Sequence, residues 1–399
     1  MTTTTTTTTT AAWPSGRSGH DAVLAQFGEG RADLMGWALT TGDPLADAVV
    51  TEMHELGMGV ARPLLTRGIQ DGLGSLDDPP PALAAFLHQT ETPPAYADDH
   101  LLDQASRPYF SSPTPVHILS LSAGALVRVY ESPSIAKVLS TTGRLVDRAE
   151  KRLTETGTWV TQAMLPGNLR PGKPGYVATL HVRMLHAHMR RLALDRGYDS
   201  TVDGVPINQV DLARTWMDFT LTAYTAEELM GFGLTGRELD GLYRYWWHVA
   251  HLLGVDARLV EGITGNQAAR RVDDLLQAVT GPVSEDSARL ADATLDSIAS
   301  LLQQFLKLPP RLSRPALDAL TRRIHGVSMS EDLQIAPEPV ADAVLTPVIA
   351  GFRAARAARR RSSERWEAAI DANIAAERAR GDAKAEPTAY ERGATGSED

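Results

Sequence analysis

The chain has no cysteine among its 399 residues. This absence excludes disulfide bonds, iron–sulfur clusters, thiolate-bound haem and covalently attached c-type haem, because each of them needs a cysteine sulfur. Any haem would have to be held non-covalently, through a histidine or a weaker ligand. Long apolar runs are missing too, since none approaches the roughly 20 residues that span a bilayer.

Positive charge is scarce. The sequence carries 39 Lys and Arg against 49 Asp and Glu, a formal net charge of −10. Nucleic acid is therefore not expected as a main partner, because phosphate binding relies on a basic surface. Glycine-rich phosphate loops, nucleophile elbows and zinc-protease motifs are absent as well.

Alternating β patterns are almost absent, and helical periodicity recurs from about residue 44 to residue 361. The sequence predicts an all-α protein, in which only residues 201–205 could form a short extended piece. We expect a disordered low-complexity N-terminus over residues 1–30 and a single helical domain over 31–355. An Arg/Ala-rich tail over 356–399 is also expected to be disordered.

Two terminal features carry further expectations. The threonine tract after Met1 has no charged or apolar signal region, which predicts a cytoplasmic protein. Five arginines begin the tail, and they indicate either contact with an acidic partner or membrane surface, or a solvated helix end that frays. These arginines are Arg353, Arg356, Arg359, Arg360 and Arg361.

Two predicted helices carry the most informative residues. On the first, Arg152 and Thr156 lie one turn apart on a stripe that also holds Trp159. A buried guanidinium needs an acceptor or an anion nearby, because burying it unpaired is costly. The Gly/Pro-rich stretch 166–175 predicts a turn that returns the second helix antiparallel to the first.

The second helix carries three histidines. His186 lies on the apolar side of the helix, whereas His181 and His188 point roughly the opposite way, so only His186 is predicted to face the core. Arg183 and Arg190 flank it. An imidazole in these surroundings suits a proximal haem ligand, and it also suits a hydrogen-bonded core histidine.

Arg-x-x-x-Thr-Gly at 152–157 followed by Val-Arg-x-x-His-Ala at 182–187 resembles the haem oxygenase family of latex clearing proteins (bacterial rubber oxygenases) and fungal MpaB-type oxygenases. The resemblance implies a globin-like multi-helix bundle around a buried b-type haem. It implies that His186 is the proximal iron ligand and that Arg152 and Thr156 belong to the haem pocket. Further similar segments are Gly42–Asp47, Thr142–Leu145, Pro206–Gln209 and Leu252–Val255.

The sequence departs from the rubber-cleaving members at two positions. Those proteins carry a lysine where this chain has Glu155, and an upstream glutamate where it has Ala136, with Glu131 the nearest acid. Glu155 lies three residues after Arg152, so it could act as a base or as a structural counter-ion of that arginine. Rubber cleavage is therefore not expected.

The resemblance implies a haem b-dependent oxygenase that uses O₂ to oxidise or cleave a hydrophobic small molecule, with unsaturated and isoprenoid-like compounds as candidates. Arg152, Glu155 and Thr156 are the candidate catalytic residues, with Arg183 and Arg190 assigned to cofactor binding beside His186. An unidentified electron donor is a possible partner. The alternatives are a haem peroxidase or oxidase that tailors a secondary metabolite, and a non-catalytic haem- or ligand-binding protein.

Other residues admit two interpretations. The aromatic run from Tyr243 to His251 fits a buried core better than a substrate pocket, and His248 with His251 lacks a carboxylate to complete a metal site. Glu227 and Glu228 fit a functional segment or a solvated helix face equally well.

Overall fold

The computed structural model describes residues 13–17, 19–141, 149–306 and 309–383. Predictions that fall elsewhere, including the family-like segment 142–145, lie outside the described residues. Within those ranges all regular secondary structure is helical, which confirms the all-α prediction. No helix described there is long and apolar enough to cross a membrane.

The described residues contain twenty-two α-helices. In chain order they are α1 His20–Phe27, α2 Glu29–Leu39, α3 Pro44–Leu56, α4 Met58–Asp71, α5 Pro81–Glu91, α6 Asp99–Gln104, α7 Thr114–Leu119, α8 Val127–Glu131, α9 Pro133–Thr141, α10 Ala149–Met164, α11 Pro174–Asp195, α12 Ser200–Asp203, α13 Gln209–Met217, α14 Ala223–Leu229, α15 Gly236–Leu253, α16 Ala257–Val260, α17 Asn266–Ala278, α18 Glu285–Leu306, α19 Pro310–His325, α20 Val327–Asp332, α21 Pro339–Arg360 and α22 Ser363–Ala383.

Short 3₁₀ and π segments complete the fold. Leu73–Ser75 and Arg107–Ser111 are 3₁₀ turns. Ser120–Leu126 is a π-helical stretch that joins α7 to α8, and Asp218–Thr222 is another that joins α13 to α14. These two π segments pack against each other.

The hairpin of α10 and α11 forms as the Gly/Pro-rich stretch predicts. Gly167 and Gly172 adopt positive φ angles of 79° and 73°, which glycine tolerates best. Gly175 lets the two helices approach closely, since a Cβ there would lie 2.5 Å from the Gln162 carbonyl oxygen. The second helix therefore returns antiparallel along the first.

α11 is the central helix of the bundle. It packs against α3, α4, α9, α10 and α15, so its side chains meet other helices on nearly every side. The prediction that only His186 faces the interior is wrong, because His181 is 5% exposed. Helical periodicity finds one buried face, and a helix surrounded by neighbours has several.

The ends of the chain are more ordered than predicted. Residues 20–27 form α1, within the segment expected to be disordered. At the other end, α22 packs on the 3₁₀ turn Arg107–Ser111 and buries Trp366, Ile370 and Ile374 in the main core. Residues 200–203, expected to be extended, form the short helix α12.

Candidate active site

The α10–α11 hairpin fixes the positions of the two motifs relative to each other along the helix axes. The Trp159 indole nitrogen donates a hydrogen bond of 3.1 Å to the Thr179 hydroxyl. Arg152 precedes Trp159 by seven residues and His186 follows Thr179 by seven. Because the helices are antiparallel and each residue adds about 1.5 Å, the backbone positions of Arg152 and His186 lie at the same level.

His186 is a half-buried neutral imidazole. Burial of the ring, assisted by the nearby positive charge of Arg190, lowers the pKa of His186 to about 4. Its Nδ1 atom lies inside the protein with no hydrogen-bond partner among the described residues. A neutral ring with an unshared nitrogen lone pair is the form of histidine that binds metals.

Arg183 anchors α11 to the loop before α3. Its Nε and Nη2 atoms donate to the Asp43 carboxylate at 2.6 and 3.0 Å, and its Nη1 donates to Gln89 Oε1 at 2.7 Å. Both Arg183 and Asp43 are buried. The donors of this guanidinium are therefore used within the protein.

Arg190 anchors the same helix two turns further on. Its Nε and Nη2 atoms donate to the carbonyl oxygens of Pro206 and Ile207 at 2.9 and 2.8 Å, and its Nη1 pairs with Asp47. Arg183, His186 and Arg190 stand at i, i+3 and i+7, so the histidine lies between two anchoring arginines on one side of α11.

Gln209 joins these segments to one another. Its side-chain amide donates to the carbonyl oxygens of Gly42 and Gly254 at 2.7 and 2.9 Å, and its Oε1 accepts the Asp256 amide at 2.8 Å. Three segments that are distant in the sequence, 42–47, 206–209 and 252–255, therefore meet around α11. All three are among those that resemble the oxygenase family.

The structure describes the side chains of two of the three candidate residues on α10. Thr156 is half-buried, and Glu155 is 16% exposed at its side chain with Lys151 Nζ 3.9 Å from its Oε1. The side chain of Arg152 lies outside the described residues, so the pairing of Arg152 with Glu155 stays a prediction.

Residues 112–361 match the family described as "ER-bound oxygenase mpaB/B'/Rubber oxygenase, catalytic domain". The matched stretch is well over half of the chain and includes α10 and α11. The chain belongs to this oxygenase family. The family prediction made from the two motifs is thereby confirmed, and with it the assignment to the oxygenases.

The structure agrees with a solved relative. It resembles the structure of latex clearing protein LCP in the closed state with a TM-score of 0.66 and 18% identity, covering 84% of this chain and 91% of that one. The two proteins therefore share a fold. A comparison with curated proteins finds no match.

Neither upstream position is suited to act as a base. Ala136 is fully buried and has no ionisable group. Glu131 pairs with Arg214, and its second oxygen accepts the Gln277 amide at 2.6 Å. Those partners lower the pKa of Glu131 despite its burial, which keeps it an ionised structural acceptor.

The Glu131 pair belongs to a buried cluster that the sequence did not reveal. Arg128 Nη2 donates to Asp273 at 2.8 Å, and Arg128 Nε lies 3.9 Å from Asp218 Oδ1. Asp218 is fully buried in a π-helical segment, and burial raises its pKa to about 7 despite the two nearby arginines. No local pattern could signal this cluster, because Arg128 and Asp273 are 145 residues apart.

A second buried pair was also missed. His117 Nδ1 lies 2.8 Å from Glu227 Oε1, and Tyr109 stacks on the imidazole with ring centroids 3.8 Å apart. Glu227 is 2% exposed, so the interpretation of this acid as part of a solvated helix face is wrong. The pair joins α7 to α14.

The aromatic run of α15 is core, as the sequence favoured. Tyr243, Tyr245, Trp246 and Trp247 are all buried, and Tyr245 donates to the Ala163 carbonyl oxygen at 2.6 Å. Among the described residues, no group of three histidine, cysteine or acidic side chains could hold a metal ion.

Proposed function

We propose that this protein is a b-type haem-dependent oxygenase that uses O₂ to oxidise a hydrophobic small molecule. The observation that carries the proposal is His186, a neutral imidazole placed at the same level of the hairpin as Arg152. The chain offers no thiolate, and a histidine nitrogen is the commonest metal ligand among the side chains that remain.

The residues present fit such a group. The low pKa of His186, about 4, leaves a ring nitrogen free to bind iron at neutral pH without first losing a proton. Bound there, haem would supply the binding and activation of O₂. The protein would supply the His186 nitrogen that holds the group, an interior shielded from water, and polar groups on α10.

We assign Arg183 and Arg190 to cofactor binding through the position of α11. Their donors are used by Asp43, Asp47 and nearby carbonyl oxygens, so they hold the helix on both sides of His186. On α10, Arg152 is suited to bind a carboxylate or a developing negative charge. Thr156 is suited to donate a hydrogen bond, and Glu155 to act as base or counter-ion.

The test is the absorption spectrum of the purified full chain, oxidised and reduced, with and without O₂. We expect a Soret band from non-covalent haem b, which His186→Ala depletes. His181→Ala and His188→Ala, matched changes on the same helix, should keep the wild-type haem content. A colourless protein that stays colourless after haem is added would overturn the proposal.

Catalysis needs a second measurement. Oxygen uptake by the haem-loaded protein, followed across hydrophobic candidate substrates, should rise above the rate without substrate. Stoichiometric haem without oxygen uptake on any of them would assign the protein to haem binding alone.

A further inference from the structure

The outward face of α21 is apolar and largely exposed, although Phe352 at one end of it contacts Phe232, with ring centroids 5.6 Å apart. Four large side chains project from it at successive i+4 steps, which forms a continuous stripe. Their exposed fractions are 78% for Val340, 60% for Val344, 44% for Val348 and 48% for Phe352. We call this stripe the α21 outer face.

The opposite side of α21 is already packed. Ile349 is buried, and Leu345 contacts the cluster of Val116, Met230 and Leu320. The helix thus carries apolar side chains both on its buried side and on its solvent-exposed side. Soluble surfaces seldom leave so continuous an apolar stripe uncovered, and a stripe of this kind marks a surface that meets another apolar phase.

Positive charge lies at the C-terminal end of the same helix. Arg356 and Arg360 are tied to the protein, the first by Ser111 and Gly233 and the second by Glu238. Arg353, Arg359 and Arg361 are exposed. Those three arginines form no ion pair with any residue that the structure describes.

One of the three exposed arginines, Arg359, is placed to extend the α21 outer face, whereas Arg361 lies near its border at about 300° and Arg353 points away from it at about 220°. Counting about 100° per residue from Val340, Val348 lies near 80°, Phe352 near 120° and Arg359 near 100°. The guanidinium of Arg359 therefore continues the line of the apolar stripe two turns beyond Phe352. In a chain of net charge −10, such a local concentration of unpaired arginines is selective for an anionic partner.

We propose that the α21 outer face docks this protein on an anionic lipid bilayer. An apolar helix face bordered by arginine is the composition of helices that lie in the membrane interface. The apolar side chains would enter the acyl boundary, and Arg359 on the line of the stripe, with Arg361 near its border, would meet lipid phosphates. The helix lies along the surface and does not cross the bilayer.

The size of the face favours a bilayer over a second copy of the chain. Twelve residues of helix measure about 18 Å, and with a helix width of about 10 Å the footprint is about 180 Å². A stable protein interface needs about 800 Å² from each partner. Binding in the membrane interface grows with the buried apolar area and with electrostatic attraction to anionic lipids, and single helices bind in this way.

The test is cosedimentation of the full-length protein with vesicles of phosphatidylcholine alone or mixed with phosphatidylserine. We expect binding to the mixed vesicles, weaker by at least tenfold on phosphatidylcholine alone and in high salt. The double variant Val344→Asp/Val348→Asp should lose at least tenfold in partitioning. Arg359→Glu/Arg361→Glu should lose the dependence on phosphatidylserine.

The matched control is Val60→Asp, the same change at an exposed valine of α4, which should bind as the wild type does. Thermal unfolding followed by circular dichroism verifies that each variant is folded. Wild-type protein that ignores both vesicle types, or equal binding by the double variant, would overturn the proposal. A dimer in sedimentation velocity that the double variant abolishes would assign the face to a second copy instead.

Discussion

Arg183 and Asp43 form a buried two-point ion pair, with Nε–Oδ2 and Nη2–Oδ1 distances of 2.6 and 3.0 Å. The pair joins residues 140 positions apart in the sequence. It holds α11 in position one turn before His186. The placement of the candidate iron ligand therefore depends on a contact with the N-terminal part of the chain.

Arg183→Ala should lower the free energy of unfolding by about 3–5 kcal/mol, because it leaves the buried Asp43 carboxylate without its partner. Urea unfolding measures this loss. The control is Arg289→Ala, which removes an exposed arginine paired with Asp286 and should cost less than about 1 kcal/mol. Equal effects of the two changes would show that the buried pair is not what holds α11.

Arg152→Ala and Thr156→Ala should keep the fold and lower haem occupancy or oxygen-dependent turnover. Each truncates one side chain of a long helix, so far-UV circular dichroism should not change. Thr154→Ala, at an exposed position of the same helix, serves as the control for both. Wild-type haem content together with wild-type oxygen uptake would place Arg152 and Thr156 outside the site.

The protein should release little or no carbonyl-ended oligo-isoprenoid from polyisoprene latex under O₂. Glu155 carries the opposite charge to the lysine of rubber-cleaving relatives, Ala136 has no carboxylate, and Glu131 is engaged by Arg214. Product analysis after incubation of the haem-loaded protein with latex decides the matter. Abundant oligo-isoprenoids would mean that these positions do not determine the substrate.

Asp218→Asn should stabilise the protein more at pH 8 than at pH 5. The folded-state pKa of Asp218, about 7, lies above the ordinary 3.8, so the folded state binds the extra proton. Its contribution to stability is complete below the unfolded-state pKa and is lost as pH rises to about 7.

The amide of the Asp218→Asn variant does not ionise, so its stability relative to wild type should improve by about 2–4 kcal/mol between the two pH values. Urea unfolding at pH 5 and pH 8 measures this change. Asp240→Asn, at a half-exposed carboxylate paired with Arg244, is the matched control for exchanging an aspartate for an asparagine. An Asp218→Asn effect that is the same at both pH values would refute a buried protonated acid.

Trp366→Ala should destabilise the protein by about 3–5 kcal/mol, as expected for truncation of a large buried side chain. The indole is 8% exposed, and the guanidinium of Arg360 lies over it at 4.1 Å. Glu364→Ala, two residues earlier and exposed, is the control. A loss below 1 kcal/mol in thermal or urea unfolding would mean that α22 contributes little to the core.

The helices and the hairpin could be predicted because their signals are local. Apolar spacing identified most helices from α3 to α21, and Pro174 with the surrounding glycines marked the turn that returns α11 along α10. Two short motifs on that hairpin sufficed for the family. The roles of His186, Arg152, Glu155 and Thr156 stay predictions of the resemblance.

Tertiary structure alone decided which groups are buried together. His181 and Glu227 are interior although their own helices do not require it, and Asp218 finds Arg128 only because two π-helical segments pack against each other. The disorder predicted for the C-terminal tail from its few large apolar residues is wrong for α22. Its three large apolar residues, Trp366, Ile370 and Ile374, are all buried where the helix packs on the 3₁₀ turn 107–111.

One physical reason separates what the sequence predicts from what only the packed structure decides. Helix formation depends on side chains three or four positions apart, and the sequence displays those directly. Burial and ion pairing depend on which helix faces which, and for Arg183 the partner is 140 residues away. The sequence by itself therefore determined an all-α oxygenase of a known family, and only the packed structure decided what holds His186 in place.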